Sequence, residues 1–151
     1  MRLAHNIRIS VYCKQEEDCE QVKNTLIGLI PFNLEEEKIV FKEILVKGEK
    51  DYQQDIRVYE VLLTKEKHVK AFLDLLNERL SAEQKELLIK QSYTRFDKEL
   101  NFFLRIDKER LVKDKIYWIT DSGNCFHIRI SIAAYPKRYE TATAMVKQIF
   151  S

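Results

Sequence analysis

Three stretches of this chain alternate apolar and polar residues with a period of two, and only a strand buried on one face satisfies that pattern. In the first, Ile7, Ile9, Val11 and Cys13 alternate with Asn6, Arg8, Ser10 and Tyr12. In the second, Phe102, Leu104 and Ile106 alternate with Asn101, Phe103, Arg105 and Asp107. In the third, Phe126, Ile128, Ile130, Ile132 and Ala134 alternate with His127, Arg129 and Ser131. Residues 38–46 and 55–63 are rich in β-branched and aromatic side chains, and the polar GEKDYQQ between them reads as a hairpin loop. KIYWIT reads as one more strand, closed by the turn formers Asp121, Ser122, Gly123 and Asn124 into the strand that begins at 125.

Helical spacing fills the gaps. Cys19, Val22, Leu26 and Leu29 recur every three or four residues behind the acidic turn Glu16 to Asp18, and Pro31 stops the run. Thr64 is placed to cap a helix carrying Val69, Phe72, Leu73, Leu76 and Leu80, and Ser81 with Gln84 forms a capping box for a second. A last helix starts near Pro136 and buries Tyr139, Ala142, Met145, Val146 and Ile149. The predicted order is β-α-β-β-α-α-β-β-β-α. Strands so close in sequence favour hairpin pairing, so the expected fold is an α+β two-layer sandwich, a mainly antiparallel sheet with helices on one face.

With 151 residues, 45% of them hydrophobic and only 3 Gly and 2 Pro, the chain reads as one domain over residues 1–151 with enough core to need no metal or disulfide. No apolar run approaches the ~20 residues of a membrane span, so the expectation is a cytoplasmic protein without membrane contact. Cys13, Cys19 and Cys125 make an odd count without a CxxC pair, and read as three reduced thiols. The net charge of +2 hides an asymmetry: residues 15–60 hold 6 basic against 12 acidic side chains, and residues 95–151 hold 11 against 7.

The sheet face turned away from the helices should carry Arg8, Ser10, Tyr12, Phe103, Arg105, His127, Arg129 and Ser131, with Arg57 and Tyr59 joining them. Guanidinium groups bond phosphate, often through two N–H groups at once, and flat rings stack on unpaired bases; that combination suits an RNA-binding sheet. Alternating strands also place some polar and aromatic side chains on any solvated face. Lys108, Arg110, Lys113 and Lys115 follow the strand that ends at Asp107, while Lys137 and Arg138 stand at the start of the last helix, where cations oppose the helix dipole and point to a held anion.

Glycine-rich phosphate loops and the common hydrolase motifs are absent from the sequence, and no cofactor is called for. The best acid/base or Mg²⁺ set is Asp97, Asp107, Asp121 and His127, whose spacing is not diagnostic of a nuclease. The first alternative, ahead of the nuclease, is a protein-interaction or assembly subunit without direct RNA contact, docking through Glu16 to Asp18 and Glu35 to Glu37.

The stretch Phe96 to Pro136 resembles a family of archaeal RNA-binding proteins described as predicted exosome subunits. The likeness lies in an FLR-DK strand end (Phe103, Leu104, Arg105, Asp107, Lys108), a Gly/Asp turn (Asp121, Gly123) and an IRI-I-AYP strand (Ile128, Arg129, Ile130, Ile132, Ala134, Tyr135, Pro136), with two upstream helices at 65–92. The resemblance implies a fold similar to the ribosomal protein that binds 5S RNA, a non-catalytic RNA-binding role and attachment to RNA-processing machinery. Arg105, Lys108 and Arg129, the basic residues of the shared motifs, are then the first expected RNA contacts.

Overall fold

The first alternating segment becomes the central strand of the sheet. The computed structural model describes residues 2–48, 54–121 and 123–151. Strand β1 (Ala4–Lys14) is followed by α1 (Cys19–Gly28), β2 (Phe41–Val46), β3 (Ile56–Leu63), α2 (Glu66–Arg79), α3 (Ala82–Lys90), β4 (Asn101–Asp107), α4 (Lys108–Asp114), β5 (Cys125–Ile132) and α5 (Tyr139–Ile149). The strands lie in the order β2-β3-β1-β5-β4, and every pairing is antiparallel. The expected α+β class therefore holds.

One face is dry. Ile7, Ile9 and Val11 of β1, Phe102 and Ile106 of β4, and Phe126 and Ile130 of β5 are all buried, and pack with Leu26 of α1, Phe72 and Leu76 of α2 and Val146 of α5 in one core cluster. Truncating any one of the large side chains here would cost about 2–5 kcal/mol.

The local signals meet mixed outcomes. Asp18 caps α1, its carboxylate accepting from Gln21 N at 3.2 Å. Ser81 caps α3 through Gln84 N, but the Gln84 side chain does not reach back: its Oε1 accepts instead from Ile119 N at 2.6 Å. Thr64 is not the cap of α2; Lys65 holds that position without a side-chain bond, and the Thr64 carbonyl accepts from the Arg2 guanidinium at 2.6 Å. The last helix begins at Tyr139, three residues beyond Pro136.

KIYWIT is not a strand of the sheet. Asp107 caps the short α4 by accepting from Arg110 N at 3.0 Å, and Lys115 ends it with a left-handed φ of 58°. Residues 116–120 then touch β4 at a single bridge, Ile106 to Ile119, flanked by Asp107 N donating to Trp118 O and Thr120 N donating to Arg105 O. The outward N–H of Ile119 is already spent on Gln84, so this segment closes the sheet edge rather than extending it. Strand β5 pairs with β4, the strand that precedes it, and also with the distant β1, between which it inserts.

The thiol expectation is corrected as well. Cys13 and Cys19 form a disulfide, because the turn between β1 and α1 brings their Cα atoms to 5.8 Å, and Cys125 alone remains a free, buried thiol. The β2–β3 loop read from GEKDYQQ falls partly on residues 49–53 and the turn at 121–124 partly on Ser122, which lie outside the described residues.

Candidate nucleic-acid interface

Strand register sorts the expected contacts. One row across the sheet reads Leu62, Arg8, Arg129, Phe103, and the next reads Glu60, Ser10, His127, Arg105. Both rows lie on the face away from the helices, because their neighbours Ile7, Ile9, Ile128, Ile130, Phe102 and Leu104 fill the core. Tyr12 follows on β1, 52% exposed, its ring meeting that of His127 edge-on with centroids 5.6 Å apart. Tyr12 and all the side chains of the two rows except Leu62 line a cleft of about 320 Å³.

The electrostatics of this cleft are uneven. Arg8 and Arg129 stand directly opposite one another, a cross-strand placement of like charges that disfavours folding. A Glu60 carboxylate oxygen lies 3.2 Å from Arg8 Nε as an ion pair, though not aligned as a hydrogen bond. Arg129 has no carboxylate within ion-pair distance among the described residues. It reaches only Asn6 Oδ1, at 3.4 Å, and its Nε is buried without a partner. Burial and then the charge of Arg8 make its guanidinium easier to deprotonate than usual, against the pull of Asp97 and Glu60.

Arg105 is held differently. It donates to the Asp121 carbonyl oxygen at 2.6 Å, while the Asp121 carboxylate is occupied by the buried Arg95 at 3.0 Å, so the charge of Arg105 stays unneutralised. His127 titrates below its ordinary value, first because of burial and then because of Arg105 and Lys108.

Several expected contacts lie elsewhere. Tyr59 is 1% exposed; its partner across the strands is Val11, so it belongs to the core, beside Phe41, and cannot stack on a base. Arg57 shares that phase and pairs with Glu43 at 3.0 Å. Lys108 is 5% exposed: its Nζ donates to the Tyr12 carbonyl at 2.5 Å and pairs with Glu17 at 3.2 Å, so it secures the turn after β1 and does not face solvent. Lys137, paired with Glu99, and the exposed Arg138 stand in the segment after β5, outside the cleft.

The four groups proposed for a nuclease do not converge either. Asp97 binds Asn101, Asp107 caps α4 and Asp121 binds Arg95; no cluster of three or more His, Cys, Asp or Glu side chains able to hold a metal occurs among the described residues. The acidic stretches are partly engaged too, with Glu17 on Lys108, Asp18 capping α1, and Glu37 on Lys67 and His68. Sequence reading missed Glu60, the countercharge to Arg8, and the Arg95–Asp121 pair that anchors Arg105. Nothing within residues 56–63 fixes the face that Glu60 takes, and a pair 26 residues apart leaves no local trace.

The fold and this face define an α+β protein with an open sheet surface where arginines and aromatic rings meet. The chain belongs to the RNA-binding family whose model matches residues 6–133. It is 26% identical over 145 residues to RNA-binding protein PAB1135 of Pyrococcus abyssi, an alignment covering 96% of this chain and 92% of that one. Protein AF2318 of Archaeoglobus fulgidus has the same fold, with a TM-score of 0.80 at 23% identity over 99% of both chains. Mth689 of Methanothermobacter thermautotrophicus does so with a TM-score of 0.77, again at 23% identity over 99% of both chains. Among the described residues, no helix is long and apolar enough to cross a membrane.

Proposed function

We propose that the chain binds RNA without catalysis, through the β1–β5–β4 part of its open sheet face, as one domain over residues 1–151. Arg8, Arg129 and Arg105 bind phosphate, and Tyr12 and Phe103 offer rings to unpaired bases. The observation that carries this reading is the Arg8–Arg129 opposition: two guanidinium groups face each other, and one of them has no carboxylate of its own. A phosphate between them would relieve the repulsion. Family membership and the name of the Pyrococcus relative support the same ligand class. The motif likeness to predicted exosome subunits, which implies a fold similar to the 5S-RNA-binding ribosomal protein, supports a place beside RNA-processing machinery.

The test is a salt titration of binding to a fluorescently labelled single-stranded RNA. Log affinity should fall linearly with log salt, and Arg8→Ala with Arg129→Ala should weaken binding at least tenfold and flatten the slope by about 1.4, or about 0.7 per lost phosphate contact. A folded double variant that binds as tightly, with the same slope, would remove the cleft as the binding site.

A further inference from the structure

The interface has an outer member that neither its motifs nor its strands announce. Ile119 and Ile106 bridge and are both buried, so the side chains on either side of Ile119 emerge on the opposite face: Thr120 beside Arg105, and Trp118 beside Asp107. Trp118 is therefore a rim residue of the same open face, and it is 43% exposed. Arg110 of α4 lies against its ring, with the guanidinium carbon 4.3 Å from the centroid, and has no carboxylate within ion-pair distance among the described residues. The backbone beneath is fixed on both sides, by β4 and by Gln84, so the ring is presented with little left to order on binding.

We propose that Trp118, backed by Arg110, is a further base-stacking platform, and that single-stranded RNA runs along the outer side of β4 from Phe103, past Arg105, to Trp118. This rests on the reading that the chain binds RNA. Phe103 is 40% exposed, and a second cleft, of about 360 Å³, lies between it and Arg105 on the side where Arg95 and Asp121 line the edge. Phe103 and the residue beside Trp118 are four positions apart on β4, about 13 Å, so the two rings take different bases while Arg105 meets the phosphates between them. A duplex would keep its bases paired and could not stack on these rings.

Trp118 is the single tryptophan of the chain, which makes the test direct. A ten-nucleotide oligoadenylate should quench tryptophan emission along the same isotherm that anisotropy of its labelled form follows, and a twelve-base-pair RNA duplex should leave the emission unchanged. Trp118→Ala should weaken binding about 5- to 150-fold, and Trp118→Phe should restore most of the loss. Arg110→Ala, which keeps the fluorophore and needs no core rearrangement, should weaken binding and change the depth of quenching. Binding by anisotropy with emission unaltered, quenching by duplex as deep as by the single strand, or unweakened binding by folded Trp118→Ala would each overturn the platform while leaving RNA binding in place. No anisotropy change at low salt would instead remove the RNA reading, and the platform with it.

Discussion

The two halves of the open sheet face share one backbone lattice and differ in chemistry. On β1, β5 and β4 that face includes Arg8, Tyr12, His127, Arg129, Phe103 and Arg105; on β3 and β2 it includes Leu62, Val58, Ile44 and Val46, with Lys42 and Glu60 as the charges of the row between them. The border runs down β1, where Arg8 has Arg129 on one side and Leu62 on the other, and Glu60 stands just across it. Pairing energy cannot explain the segregation, since both halves are ordinary antiparallel ladders. A polyanion gains from one half alone, and the Glu60 carboxylate marks where its attraction ends.

That contrast can be broken in graded steps. The largest effect should come from a basic residue that belongs to neither half: Lys108→Met should lower stability by about 1–3 kcal/mol in thermal or chemical denaturation, because the Tyr12 carbonyl and Glu17 lose their donor. RNA affinity of the folded protein should hardly move; a stable variant with lost affinity would place Lys108 in the interface after all. At the border, Glu60→Gln should tighten RNA binding up to about fivefold at low salt, by the free energy an exposed ion pair is worth, and the gain should fade as salt screens it.

His127 should act through pH. Its folded pKa lies below the ordinary 6.5, so below that value the unfolded chain holds more protons and stability falls as pH drops toward the lowered folded pKa. RNA phosphate beside the imidazole works the other way, favouring its charged form, so affinity should rise over the same window, and His127→Gln should remove both trends. The smallest effect belongs to the apolar half: Ile44→Ser should change RNA affinity less than twofold in the same anisotropy assay. A larger loss would extend the interface to β2.

The strands that carry the candidate site were legible because they obey a clean contrast: from Ile7 in β1, Phe102 in β4 and Phe126 in β5, every second residue is apolar, and the others are charged, polar or aromatic. Residues 56–63 lack that contrast. Arg57 and Tyr59 share one face while Glu60 and Leu62 share the other, so the phase was decided by which ring could pack against Phe41 and Val11, a choice made between distant segments. Lys108 looked like its basic neighbours, because nothing local says that an ammonium will be drawn inward to a carbonyl 96 residues away. The helix from Lys108 did leave a signal in Asp107, a good capping residue, but the β-branched and aromatic run of KIYWIT competed with it.

The insertion of β5 between β1 and β4 has a consequence for biosynthesis. Arg8 and Arg105 are both translated before the strand that joins β1 to β4, which begins only at Cys125. Long-range pairings of this kind form late and slowly. A nascent polypeptide therefore has no assembled cationic surface until β5 has been translated, and an arrested fragment ending before β5 would be unable to compete with the mature protein for RNA.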